Sequence, residues 1–123
     1  LNLGHTFAHS YEASYKYSKG LNHGEAVLLG INSASEFSFK KNLLNYKEYK
    51  LIINHISKIN NSLKINNYFN KKDTNKLLSY IKNDKKNTSK KINLILINKI
   101  GKVSYNNFFK LKEISKFIRN QFL

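Results

Sequence analysis

At 123 residues and 14.4 kDa the chain can bury one modest core, enough for a single domain but small for an enzyme with its own cofactor domain. The absence of cysteine excludes a disulfide framework and any thiolate metal site, and the apolar runs are too short for a membrane span or a signal peptide. A net charge of +15 raises nucleic acid as a partner, but every one of the 22 basic residues except Arg119 is lysine, scattered among asparagine and isoleucine without a stripe of interleaved aromatics. That pattern reads as the drift of an A+T-rich genome, so neither nucleic acid nor membrane is expected as a partner. The positive field would still draw in an anionic small molecule. A chain that opens on Leu1 and holds no methionine reads as a piece of a longer, cytoplasmic protein.

The elements follow from the spacing of apolar residues. A helix is predicted over residues 4–17 with Asn2 as its cap, then a loop over 16–22. Residues 24–41 carry Ala26, Val27, Leu29, Ile31, Ala34, Phe37 and Phe39 on more than one face, which predicts a buried central helix. Asn45 followed by Glu48 resembles a capping box, and Tyr49, Ile52, Ile53 and Ile56 continue at helical spacing to about Ile59. Residues 62–69 read as an extended connector, and Asp73 as the cap of a short helix through Leu77, Leu78 and Ile81 that ends near Asn83. The period then changes from 3.6 to 2 at Ile92, Leu94 and Leu96. A turn over 98–101 and a return strand over 103–105 complete a β-hairpin. An amphipathic helix over 111–122 closes the chain. The expected fold is mainly α, one domain over 1–123 with a small β-hairpin near the C-terminus.

Three of the four histidines stand in the first two dozen residues. His5 and His9 are four apart, so on a helix their rings leave one face with Cβ atoms roughly 6 Å apart. His23 follows a loop bearing Gly20, and a helix-turn-helix could return it to the same spot, where three imidazoles would make a metal or substrate site. The metalloprotease reading of such a pair needs Glu directly after the first histidine, and Thr6 stands there. His55, among isoleucines, reads as structural, and Asp84-Lys85-Lys86 by itself reads as a solvated loop.

The segments Leu-Asn-Leu-Gly-His-Thr-Phe-Ala-His-Ser-Tyr-Glu and His-Gly-Glu-Ala-Val-Leu-Leu-Gly-Ile, then Asp-Lys-Lys, then Ile-Asn-Leu-Ile-Leu-Ile-Asn-Lys-Ile-Gly-Lys, closely resemble the carboxy-terminal domain of the 3-dehydroquinate synthase family. The resemblance covers nearly the whole chain in order. It implies the helical, metal- and substrate-binding half of that fold, with the NAD-binding half lying upstream. It implies zinc, or cobalt, on His5 and His23, with a third ligand, a glutamate, contributed from upstream. By the same resemblance Asn2 touches substrate and His9 is a catalytic residue facing the substrate near its phosphate and the proton relay. Lys86 is the implied phosphate or substrate contact, with Lys85 the lesser choice. Ala8 departs from the family, many of whose members have glycine there, and so do Ser10-Tyr11 and the glycine-poor run Tyr15-Lys16-Tyr17-Ser18.

The implied reaction is the zinc- and NAD-dependent conversion of 3-deoxy-arabino-heptulosonate 7-phosphate to 3-dehydroquinate with loss of phosphate, in the shikimate pathway of aromatic amino acid biosynthesis. The implied enzyme is a homodimeric carbon–oxygen lyase. Alternatives are another sugar-phosphate cyclase, a metal-dependent alcohol dehydrogenase of the related superfamily, against which Glu25-Ala26-Val27 speaks, and a lysine-rich RNA-binding module that would need no histidine geometry.

Overall fold

The opening glycine starts the first helix in a way no other residue could. Gly4 is the N-cap of α1 (His5–Ser14), with φ +73°, in the left-handed region that favours glycine. A Cβ there would also meet the Gly30 carbonyl carbon at 2.5 Å. The structure is a computed structural model and describes residues 3–16, 20–83 and 91–122. Asn2, expected as the cap, lies outside them and stands two positions before the residue that does the work.

α2 (His23–Lys40) begins with a complete capping box: Glu25 N–H donates to Asn22 Oδ1 at 2.8 Å, and Asn22 N–H donates to Glu25 Oε1 at 2.9 Å. It is the central helix that its apolar pattern predicts. α1 lies against it so closely that a Cβ on Gly30 would fall 2.5 Å from Gly4 O and 2.8 Å from both Ala8 N and Ala8 Cβ. α3 (Tyr46–Ile59) is capped by Asn45, whose Oδ1 accepts from Glu48 N–H at 2.8 Å. The second half of the expected box is not made. Glu48 instead turns to the hairpin and accepts from Ile100 N–H at 3.2 Å, tying α3 to the turn.

The connector over 62–69 contains a short 3-10 turn, Ile65–Asn67, and a second follows at Lys71–Asp73. Asp73 does precede α4 (Thr74–Lys82), but its side chain faces backwards, accepting from Asn70 N–H at 2.8 Å, so it closes the 3-10 turn and does not cap the helix. The hairpin pairs β1 (Lys91–Lys99) antiparallel with β2 (Lys102–Lys110) across Ile100-Gly101, where Gly101 has φ +88°. β2 is longer than expected. Its register shifts between Leu94 and Leu96, where Asn107 Nδ2 donates to Leu94 O at 3.0 Å and to Ser104 O at 2.8 Å, so amide side-chain bonds sustain a strand whose polar residues hide its period. α5 (Leu111–Gln121) closes the domain, and buried Phe122 ends it.

The core lies between α1, α2, α4, α5 and the inner face of β1. Phe37 is its hub, with ring centroids 4.8 Å from Phe109, 5.1 Å from Phe117 and 6.4 Å from Phe7. Its buried polar groups mostly find partners: Ser10 donates to Leu77 O at 2.7 Å and Ser38 to Ile97 O at 2.6 Å. The Tyr11 hydroxyl lies 2.6 Å from Ser33 Oγ, to which Gln121 Nε2 also donates at 2.9 Å. Burial pushes the Tyr11 phenol far up, so it stays protonated.

At the start of α5, Glu113 accepts from Lys41 Nζ at 2.7 Å and from Lys110 N–H at 3.1 Å. The Lys41 hydrogen bond foremost, then the Lys110 amide, holds its carboxyl below the usual carboxylate value. A depressed carboxylate stabilises the fold above its unfolded value, and that contribution fades as pH falls through the lowered folded value. Glu113→Gln is therefore expected to lower the melting temperature slightly at pH 7, with the gap from the parent closing in melts run below about pH 4.

Candidate functional site

α1 has two faces with different fates. Phe7, Ala8, Tyr11 and Ser14 are buried, and His5, His9 and Glu12 fall at i, i+4 and i+7 on one stripe that runs from exposed histidines to a buried glutamate. His5 and His9 are exposed, and their rings meet at a centroid distance of 3.8 Å, tilted by 52°. At the other end of the stripe the Glu12 carboxylate meets the His23 ring, whose Nδ1 lies 3.1 Å from Oε2 and 3.2 Å from Oε1. The carboxylate side chain is 12% exposed and the imidazole 75% exposed.

The start of α2 is itself fixed from two sides. The Asn22–Glu25 box sets the helix entry, and the second carboxylate oxygen of Glu25 accepts from the Tyr68 hydroxyl at 3.3 Å. Burial, then the Glu25 charge, pushes the Tyr68 phenol up, which keeps the proton in that bond. Tyr68 is held in turn through its carbonyl, which accepts from the Tyr15 hydroxyl at 2.9 Å, and the Tyr15 ring stands edge-on to Phe69. Glu25 therefore belongs to the scaffold of the His-Gly-Glu motif, and His23 to its open surface.

The structure brings His5 together with His9, and His23 together with Glu12. Among the described residues no three of His, Cys, Asp or Glu gather into a group that could hold a metal ion, so the three imidazoles do not form one shell by themselves. Asn2, Lys85 and Lys86 lie outside the described residues. His55, read as structural, is exposed on α3 at the edge of an apolar hollow of about 530 Å³ shared with Leu28, Ile31, Ile52 and Ile97. The residue missed by sequence reasoning is Glu12. A carboxylate seven residues after His5 was a visible signal, but its partner on the next helix was not.

Two structures of 2-deoxy-scyllo-inosose synthase share this fold. One, complexed with carbaglucose-6-phosphate, NAD+ and Co2+, matches with a TM-score of 0.80 at 22% identity, over 97% of this chain and 34% of that one. The other matches with a TM-score of 0.74 at 20% identity, over 97% and 31%. The chain thus has the architecture of about one third of such a synthase. It belongs to the family described as 3-dehydroquinate synthase C-terminal, which matches residues 1–87. The 3-dehydroquinate synthase of Pelagibacter ubique (strain HTCC1062) is 45% identical over 121 residues, 98% of this chain and 33% of the relative. That of Endomicrobium trichonymphae is 40% identical over 102 residues, 83% of this chain and 27% of the relative. The chain therefore spans about a third of the length of the curated relatives it matches. No described helix is long and apolar enough to cross a membrane.

Proposed function

We propose that the chain is the metal- and substrate-binding domain of a 3-dehydroquinate synthase, acting in the cytoplasm as part of a homodimer on 3-deoxy-arabino-heptulosonate 7-phosphate. The observation that carries this reading is the exposed histidine stripe of α1 ending at a carboxylate-held His23, within a chain of that family. The donor set fits zinc or cobalt: there is no thiolate, His5 offers an exposed imidazole, and His23 presents an open ring with its Nδ1 already engaged. His5 and His23 would hold the ion, with a third ligand from the upstream part. No residue of this chain is assigned to the nicotinamide cofactor.

When bound, the divalent ion supplies Lewis-acid acidification of a substrate hydroxyl and NAD a reversible hydride sink. His9 would take or return a proton at the substrate as phosphate leaves, a role supported by its ring contact with His5 and its exposure. Asn2 would orient the substrate, and Lys86, or Lys85, would meet its phosphate. The net charge of +15 favours the approach of such an anion.

The full-length protein is expected to release phosphate and form 3-dehydroquinate from the heptulosonate phosphate in the presence of NAD and zinc or cobalt. Tight binding of carbaglucose-6-phosphate, the compound complexed with its structural neighbour, without turnover of the heptulosonate phosphate would instead favour that neighbour's class of synthase. The isolated 123 residues are expected to bind zinc weakly and to show no turnover. Stoichiometric, tight zinc binding by the isolated domain in calorimetry, lost in His5→Ala, would overturn the need for a ligand from outside it.

A further inference from the structure

Glu12 is a nearly buried carboxylate in a chain of strong positive charge, and among the described residues its side chain meets an imidazole, that of His23. Both carboxylate oxygens lie within hydrogen-bond distance of one nitrogen, Nδ1 of His23, at 3.1 and 3.2 Å. An acceptor on that side fixes the proton on Nδ1, so the lone pair of the neutral ring resides on Nε2, and the contact also restricts rotation of a side chain that is otherwise 75% exposed. Glu12 follows buried Tyr11 on α1, whose backbone is packed tightly against α2 at Ala8 and Gly30.

From this geometry we infer that Glu12 is the positioning residue for His23: it sets the tautomer and ring orientation that present Nε2 to a divalent cation, and thereby sets the affinity of the site. The inference rests on the reading of His23 as a metal ligand. Glu12 touches neither substrate nor the ion. It acts through the imidazole, by holding the ring and the proton on Nδ1. A carboxylate near the N-terminus of α2 also favours the helix dipole, so a purely structural role is the competing account.

The test uses the full-length enzyme stripped of metal, with zinc and cobalt affinities measured by competition against a chelator and the cobalt d–d spectrum recorded for the parent, Glu12→Ala, Glu12→Gln and His23→Ala. Glu12→Ala is expected to bind metal about 10–100-fold more weakly with an altered cobalt spectrum. Glu12→Gln, which keeps an acceptor for Nδ1–H but loses the charge, should fall between it and the parent. Thermal melts of the metal-free proteins report any structural loss separately, and if Glu12→Ala fails to fold, Glu12→Gln alone decides the matter. Unchanged affinity and spectrum in a folded Glu12 variant, while His23→Ala binds weakly, would overturn the role of Glu12 and leave His23 as a ligand. Unchanged affinity in His23→Ala would overturn both readings together.

Discussion

Phe37→Ala is expected to destabilise the domain by about 3–5 kcal/mol, the range for deleting a fully buried aromatic side chain. Phe37 is 1% exposed, and its ring is shared by three elements: Phe7 from α1, Phe109 from β2 and Phe117 from α5 all meet it. Truncation removes its transfer free energy and leaves a cavity whose walls are themselves rings, rigid groups that relax poorly into empty space. A domain of this size has a total stability of about 5–15 kcal/mol, so the loss is a large fraction of the whole. Chemical denaturation should show the midpoint moving to much lower urea with an unchanged slope. A shift below about 1 kcal/mol would mean that Phe37 is not the hub. Phe37→Leu, which refills much of the volume, should recover part of the loss.

Gly30→Ala is the smallest substitution expected to have a large effect. The added methyl would stand 2.5 Å from Gly4 O and 2.8 Å from Ala8 N, both backbone atoms that cannot rotate away. Overpacking in a core commonly costs about 1–3 kcal/mol, and relief here requires moving a whole helix, which places the cost at or above the upper end. The displaced element would be α1, which carries His5, His9 and Glu12. The variant should therefore lose both melting temperature and, in the full-length enzyme, metal affinity, although residue 30 touches no candidate ligand. Retention of both would show that the contact between the helices yields easily. Ala8 sharpens this expectation, since its own Cβ already occupies the space a smaller residue would leave open.

Much of the architecture was legible because the apolar periods are strong. The change from period 3.6 to 2 at Ile92 and the amphipathic run after Lys110 lead directly to β1 and α5. What escaped reading were matters of partner choice. Asn45 and Glu48 have box spacing, yet Glu48 finds the Ile100 amide, 52 residues further on, and Asp73 turns to the residue three before it. β2 was underestimated because Ser104 and Asn107 interrupt its alternation while their side chains supply bonds the pattern does not encode. At the site, helical spacing alone put His5 and His9 side by side, which the structure bears out. The roles given to Asn2, Lys85, Lys86 and the ligand pair came from family resemblance. The Glu12–His23 contact depends on how two helices cross, which no spacing within one helix specifies.

The intimacy of the first two helices limits what each can carry. Tyr46–Ile59 holds Lys47, Lys50, Lys58 and Asn54, whereas His5–Ser14 contains neither lysine nor asparagine. Where the two backbones touch, at residues 4, 8 and 30, there is no volume for a long side chain. A saturation library of this domain should accordingly divide into a permissive periphery and an intolerant seam along residues 4, 8 and 30, and tolerance there would be read from geometry better than from chemistry.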